Sequence, residues 1–142
     1  EQFGSTFIGP NQETTVFVPG IDVGNREPGN VFFEIEEPVT FEVVDAVYAR
    51  QLLRVRGQSL QAFGDEPRLE ATLENQHELP LHDIDVIAVL YDDNGNVVAT
   101  SQTFVERIDA VGQASVVFTW PERLSAPVVR VEIEPRVNPF IQ

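Results

Sequence analysis

The chain has 142 residues, a net charge of −14 and a pI near 4.3, so its surface repels nucleic-acid phosphates and anionic lipid, which excludes nucleic acid as a partner. All nine basic residues are Arg and there is no Cys, which excludes Lys Schiff-base chemistry, disulfides, thiolate metal sites and Cys nucleophiles. Hydrophobic residues make up 42%, with ten Phe, ten Pro and nine Gly: enough to bury a core, rich in strand formers, and broken by frequent turns.

Residues 3–9 and 14–19 are predicted as two short strands joined by the turn Gly9-Pro10-Asn11-Gln12. A polar Gly/Pro loop runs from Asp22 to Asn30. Residues 31–36 then alternate, with Val31, Phe33 and Ile35 on one face and Phe32, Glu34 and Glu36 on the other. Pro38 closes that strand and sets a boundary. Residues 1–37 read as the C-terminal strands of an incomplete sandwich, and residues 38–142 as a complete one. The run from Val39 to Val47 opens the second domain, with Phe41, Val43 and Ala46 toward its core. Residues 48–66 carry a mixed signal. Ala49, Leu52, Leu53 and Arg56 fit a helical face, whereas Leu53, Val55 and Gly57 fit a strand. The expectation is an irregular connection with a short strand at 52–56.

From Arg68 the pattern is clear. Leu69, Ala71 and Leu73 alternate with Arg68, Glu70, Thr72 and Glu74, a strand with one wet face. Asn75 to His82 is a polar loop. Ile84 to Tyr91 is almost wholly apolar and reads as a central strand. Asp92 to Asn96 is a hairpin turn, in which Asn94-Gly95 supplies two residues that tolerate positive φ. Val97 to Val105 returns antiparallel, and Gln113 to Trp120 and Val128 to Glu134 complete the sheets. The fold class is all-β, an antiparallel immunoglobulin-like β-sandwich preceded by the last strands of a second, similar domain.

A tandem repeat carries that last inference. Thr6-Phe7-Ile8, Val16-Phe17-Val18 and Phe33-Glu34-Ile35-Glu36 return as Thr103-Phe104-Val105, Val117-Phe118-Thr119 and Val131-Glu132-Ile133-Glu134, offset by 97–101 positions. A period near 100 residues is one sandwich domain. The second copy has the residues to close its own core; the first does not. Phe7, Val16, Val18, Phe33 and Ile35 are therefore candidate interface residues, needing the missing half-domain or another chain.

Residues 68–118 carry a further pattern: Asn75 after a strand, then Ile84 to Leu90-Tyr91-Asp92, Asp93-Asn94-Gly95, Gly112 and Val116-Val117-Phe118. This resembles the FxLYD domain, an immunoglobulin- or fibronectin-III-like sandwich of bacterial and archaeal envelope proteins. Ala88 stands where the family's Phe is usual, and Val111-Gly112 where it has Pro-Gly. The ending, Phe118-Thr119-Trp120-Pro121 with Pro135 to Phe140, is similar to tandem FxLYD-like proteins of candidate-phylum bacteria. The resemblance implies an exported, cell-surface or periplasmic location, anchored upstream of Glu1. It implies no catalytic residues.

Candidate chemistry is sparse. Asp92, Asp93, Asn94 and Asn96 put oxygens on one loop, but calcium takes six to eight and no following Glu completes an EF-type set, so a hairpin is the simpler reading. His77 and His82, with Glu78 and Asp83, lack the spacing and the third ligand of a zinc site. Glu34, Glu36, Glu37, Glu132 and Glu134 alternate with apolar residues, as a wet sheet face does. No Ser sits in a nucleophile elbow. Arg50, Arg54 and Arg56 form the one basic cluster, suited either to a neighbour's carboxylates or to this chain's own. Trp120 suits a core or junction plug.

The expectation is a noncatalytic module, structural or protein-binding, of an exported envelope protein, needing no cofactor. The alternatives are an assembly subunit completed by strand exchange, up to a homo-oligomer, and a module binding a ligand or metal through its loops.

Overall fold

The computed structural model describes residues 8, 13–22, 24–25, 27, 29–37, 39 and 53–137. The chain divides into two compact units, Glu1–Val44 and Asp45–Gln142. Every strand among the described residues lies in the second: β1 Leu53–Gln61, β2 Arg68–Asn75, β3 Leu81–Tyr91, β4 Val97–Ile108, β5 Gln113–Thr119 and β6 Arg130–Val137. They form two three-stranded antiparallel sheets, ordered β1-β2-β5 and β4-β3-β6. No described residue is helical, so the all-β expectation holds. Among the described residues no helix is long and apolar enough to cross a membrane.

Side-chain alternation explains the layering. Leu69, Ala71 and Leu73 of β2, Val116 and Phe118 of β5, and Leu53 of β1 face Ile84, Val86, Ala88 and Leu90 of β3 across one apolar core. Each fully buried Leu, Ile or Phe contributes roughly 1.5–3 kcal/mol relative to an exposed one. β3 lies between β4 and β6. Ile87 and Val89 point away from the inter-sheet core yet are also buried, which is why this strand reads as an unbroken apolar run.

Four strands depart from the sequence reading: β4 runs on to Ile108 and β6 spans Arg130–Val137, and the other two depart where the backbone reverses. β1 is nine residues long rather than a short piece at 52–56. Its register shifts between Arg56 and Ser59, where Gly57 takes φ +62°. That bulge changes the parity, so Leu53 and Val55 before it and Leu60 after it all pack toward the core. β3 begins at Leu81, inside the expected 75–82 loop. Asp83 at φ +50° interrupts the alternation, which lets both Leu81 and Ile84 enter the core.

The first unit departs further. The strands expected at 14–19 and 31–36 are not formed: those residues carry no sheet pairing. A strand is held by ladder hydrogen bonds to a neighbour, and among the described residues no strand pairing involves these segments. The strand expected at 3–9 and the core residues Phe41, Val43 and Ala46 fall outside the described residues, except for Ile8, which is exposed.

Candidate functional site

The second unit presents two loop systems, one at each end of β3. At the β3–β4 end the Asp92 amide donates to the Asn96 carbonyl (3.0 Å) and the Gly95 amide to the Asp92 carbonyl (3.2 Å). Of the Asn94-Gly95 pair only Gly95 has positive φ, +81°. The connection is thus a three-residue loop, a type I turn closed by Gly95, rather than the two-residue turn the Asn-Gly pair suggests. The register slips accordingly, leaving Val98 unpaired between Ala99 and Val97.

Asp92 organises this turn. Its Oδ1 accepts from the amides of Asn94 (2.9 Å) and Asn96 (2.8 Å), and its Oδ2 from Asn96 Nδ2 (3.0 Å). Asn94 Nδ2 donates to Asp93 Oδ1 (3.0 Å). Hydrogen bonds from the Asn96 side chain and amide, then from Asn94, hold the Asp92 carboxyl below its ordinary value of 3.8. Four of the expected loop oxygen donors are therefore together in space, and both Asp92 oxygens are committed to the turn.

At the other end Asn75 is the single buried polar residue of the described core, 2% exposed. Its Nδ2 donates to the carbonyls of Leu79 (2.8 Å) and Asp109 (3.0 Å), and its Oδ1 accepts from the His77 amide (2.9 Å). The Asn75 amide donates to Gly112, and Val111 to His77. One side chain thus ties the β2–β3 loop to the β4–β5 turn. The sequence marks this residue as an Asn ending a strand before a polar loop, but not as a brace. Val111 pays for the turn with φ +54°, a strained position for a β-branched residue. Gly112 leaves no room for a side chain, since a Cβ there would lie 2.8 Å from the Asp109 carbonyl.

His77 and His82 do not share a loop. His77 Nδ1 accepts from the Leu79 amide (3.2 Å), while His82 sits in β3 opposite Arg107 of β4. Among the described residues no group of three or more His, Asp or Glu side chains is placed to hold a metal ion.

Several of the arginines pair with carboxylates within the sandwich. Arg56 meets Glu74 (2.7 Å), the internal pairing weighed for the basic cluster. Arg54 lies exposed on β1, and Arg50 falls outside the described residues. Tyr91 donates to Glu132 Oε2 (2.9 Å), and the Arg130 guanidinium lies 3.7 Å over the Tyr91 ring and pairs with Glu132. Trp120 is buried, and its Nε1 donates to the Thr100 carbonyl (2.9 Å), bridging the sheets as a core plug.

Of the apolar interface candidates, Val16, Phe33 and Ile35 are exposed, the last two at 87% and 90%, and Val18 is half-buried. Phe32 is exposed as well. Phe7 falls outside the described residues.

No family model and no curated protein matches the chain. Among solved structures, a DUF1425 family member from Shewanella sp. pv-4 is similar at 21% identity, over 61% of this chain and 78% of that one, with a TM-score of 0.46.

Proposed function

We propose that the chain is a noncatalytic structural or protein-interaction module of an exported, envelope-associated bacterial protein. The observation that carries this reading is the use made of the Leu-Tyr-Asp signature. Leu90 is buried in the core, Tyr91 ties β3 to Glu132 of β6, and Asp92 organises the hairpin. All three residues serve the fold, and Ala88, in the family's Phe position, is fully buried. This supports the FxLYD-like reading, whose motifs are turn and core residues, and leaves none of the signature for chemistry. Protease applied to spheroplasts of cells that make the protein, with any outer membrane opened and the inner membrane intact, is expected to digest it. Protection until the cells are lysed, or turnover of a glycan, peptide or ester abolished by one side-chain change, overturns the proposal.

A second reading, an assembly subunit completed by strand exchange, is favoured by residues 31–36. This segment repeats the β6 pattern, yet Phe33 and Ile35 are nearly fully exposed. Substituting both by Glu is expected to abolish self-association if that pattern supplies the exchanged strand. Light scattering measures it, and unchanged association sinks this reading.

A further inference from the structure

Asn94-Gly95 is the one Asn-Gly pair in the sequence. Glycine has no Cβ to shield its backbone, so in such a pair the Gly nitrogen can reach the amide carbon of the Asn side chain before it. Both residues are exposed, and a Cβ built on Gly95 would meet nothing within 4 Å, so packing does not keep the two groups apart. The turn does. The Gly95 nitrogen donates to the Asp92 carbonyl (3.2 Å). The amides of Asn94 (2.9 Å) and Asn96 (2.8 Å) both donate to Asp92 Oδ1, which fixes the backbone on either side of Gly95. Asn94 Nδ2 donates to Asp93 Oδ1 (3.0 Å), drawing the side-chain amide toward the preceding residue. The backbone angle acts in the same sense. Asn94 is the third residue of the type I turn, where ψ is about 0°. That angle eclipses the Gly95 nitrogen with Asn94's own nitrogen, whereas a ring closing on the side chain needs it eclipsed with Cβ.

We propose that Asn94 is a site of spontaneous covalent modification, to aspartate and isoaspartate, and that the Asp92 turn is the latch that sets its rate. The Gly95 nitrogen gives its proton to solvent base, and its electron pair forms a bond to Asn94 Cγ. The Cγ–Nδ2 bond breaks, and the leaving nitrogen takes up a proton and departs as ammonia. A five-membered succinimide remains. Water adds to one of its two carbonyl carbons, and the bond from that carbon to the ring nitrogen breaks. One product is Asp at position 94 with the ordinary backbone; the other runs the backbone through the side-chain carbon. No oxidant or reductant is needed, and water is the only co-reactant. The turn opposes the first step twice. It must open for the ring to close, and the anion forming on the Gly95 nitrogen lies beside the Asp92 and Asp93 carboxylates, which disfavour it. Either product adds a third carboxylate next to Asp92 and Asp93. The isoaspartate also lengthens the turn by a methylene, which the bonds to Asp92 Oδ1 do not accommodate.

This chemistry is independent of the chain's location and partners. The test incubates the intact chain at mildly alkaline pH, with and without urea, and maps its peptides by mass spectrometry. Replacement of NH2 by OH reports the reaction, and isoaspartate is identified by its separate elution. In urea the change is expected first at Asn94, ahead of Asn75 and Asn96. In the folded chain it is expected to be slower by about tenfold or more, the scale on which a few net hydrogen bonds hold a turn closed. Asp92→Ala is expected to recover most of that factor in the folded chain and to leave the rate in urea unchanged. Asn96→Ala removes only the bond to Asp92 Oδ2 and is expected to speed the folded chain by about threefold. It keeps the test decisive where Asp92→Ala does not fold, which Trp120 fluorescence on melting reports. Equal rates with and without urea overturn the proposal. So does a modification that appears first at another Asn, or a folded rate indifferent to both variants.

Discussion

Replacing Asn75 by Ala removes one side chain but unties two loops. Three hydrogen bonds of 2.8–3.0 Å disappear, to Leu79, to Asp109 and from His77. Each is worth about 0.5–1.5 kcal/mol net, so the loss is about 2–4 kcal/mol before any rehydration of the exposed partners. For a domain of this size that lowers the melting temperature by about 10–25 °C. The assay is urea unfolding followed by Trp120, the chain's single Trp, which lies in the second unit and reports on that sandwich alone. Asn75→Asp is the stricter variant. It keeps the shape and the acceptor but loses both donor hydrogens, and it sets a carboxylate against carbonyl oxygens. At neutral pH it is expected to destabilise at least as much as Ala. A loss under about 0.5 kcal/mol for Asn75→Ala would refute the reasoning, because no buried hydrogen-bonded brace is that cheap to remove.

Gly112→Ala drives a Cβ against the Asp109 carbonyl at 2.8 Å. It is expected to cost about 1–3 kcal/mol in the same urea assay, since backbone rather than a flexible side chain must yield. Val111→Asn relieves a β-branched residue at φ +54°. Because Val111 is exposed and little packing is lost, a gain of about 0.5–1.5 kcal/mol is expected by thermal melting. Asp92 gives the β3–β4 hairpin a pH dependence. Its folded carboxyl titrates below the ordinary 3.8, so its contribution is present in full above that value and is lost as pH falls through the lower, folded one. Amide exchange at Asn94 and Asn96 is expected to quicken, relative to the acid-corrected baseline, only in that acid range. Asp92→Asn is expected to remove the dependence.

Local pattern was enough for β2, β5 and the Ile84–Tyr91 part of β3. Leu69, Ala71 and Leu73 alternate with charge, Ile84 to Leu90 is apolar throughout, and both signals survive any register. The pattern failed where a backbone reversal interrupts it. Gly57 and Asp83 both take positive φ, and each hides the continuation of a strand whose parity has changed. An Asn-Gly pair likewise marks a turn without stating its length. Among the candidate sites, the loop oxygens were legible because they are contiguous. The Asn75 brace was not, because its partners Leu79 and Asp109 are backbone carbonyls, and carbonyls leave no trace in side-chain identity.

The first unit shows most plainly where the two kinds of information part. Residues 31–36 and the β6 residues 131–134 have nearly the same alternation, Phe-Glu-Ile-Glu against Val-Glu-Ile-Glu. By itself the sequence determined an all-β chain, the two faces of its strong strands, and the acidic surface. Only the tertiary structure decided that 131–134 is a strand and 31–36 is not. β6 has β3 beside it, with Val89 opposite Glu132 and Ala88 opposite Ile133. The earlier segment has no such neighbour among the described residues. Alternation sets which face an apolar side chain will take, but backbone hydrogen bonds and burial come from the adjacent strand, and that strand lies far away in sequence.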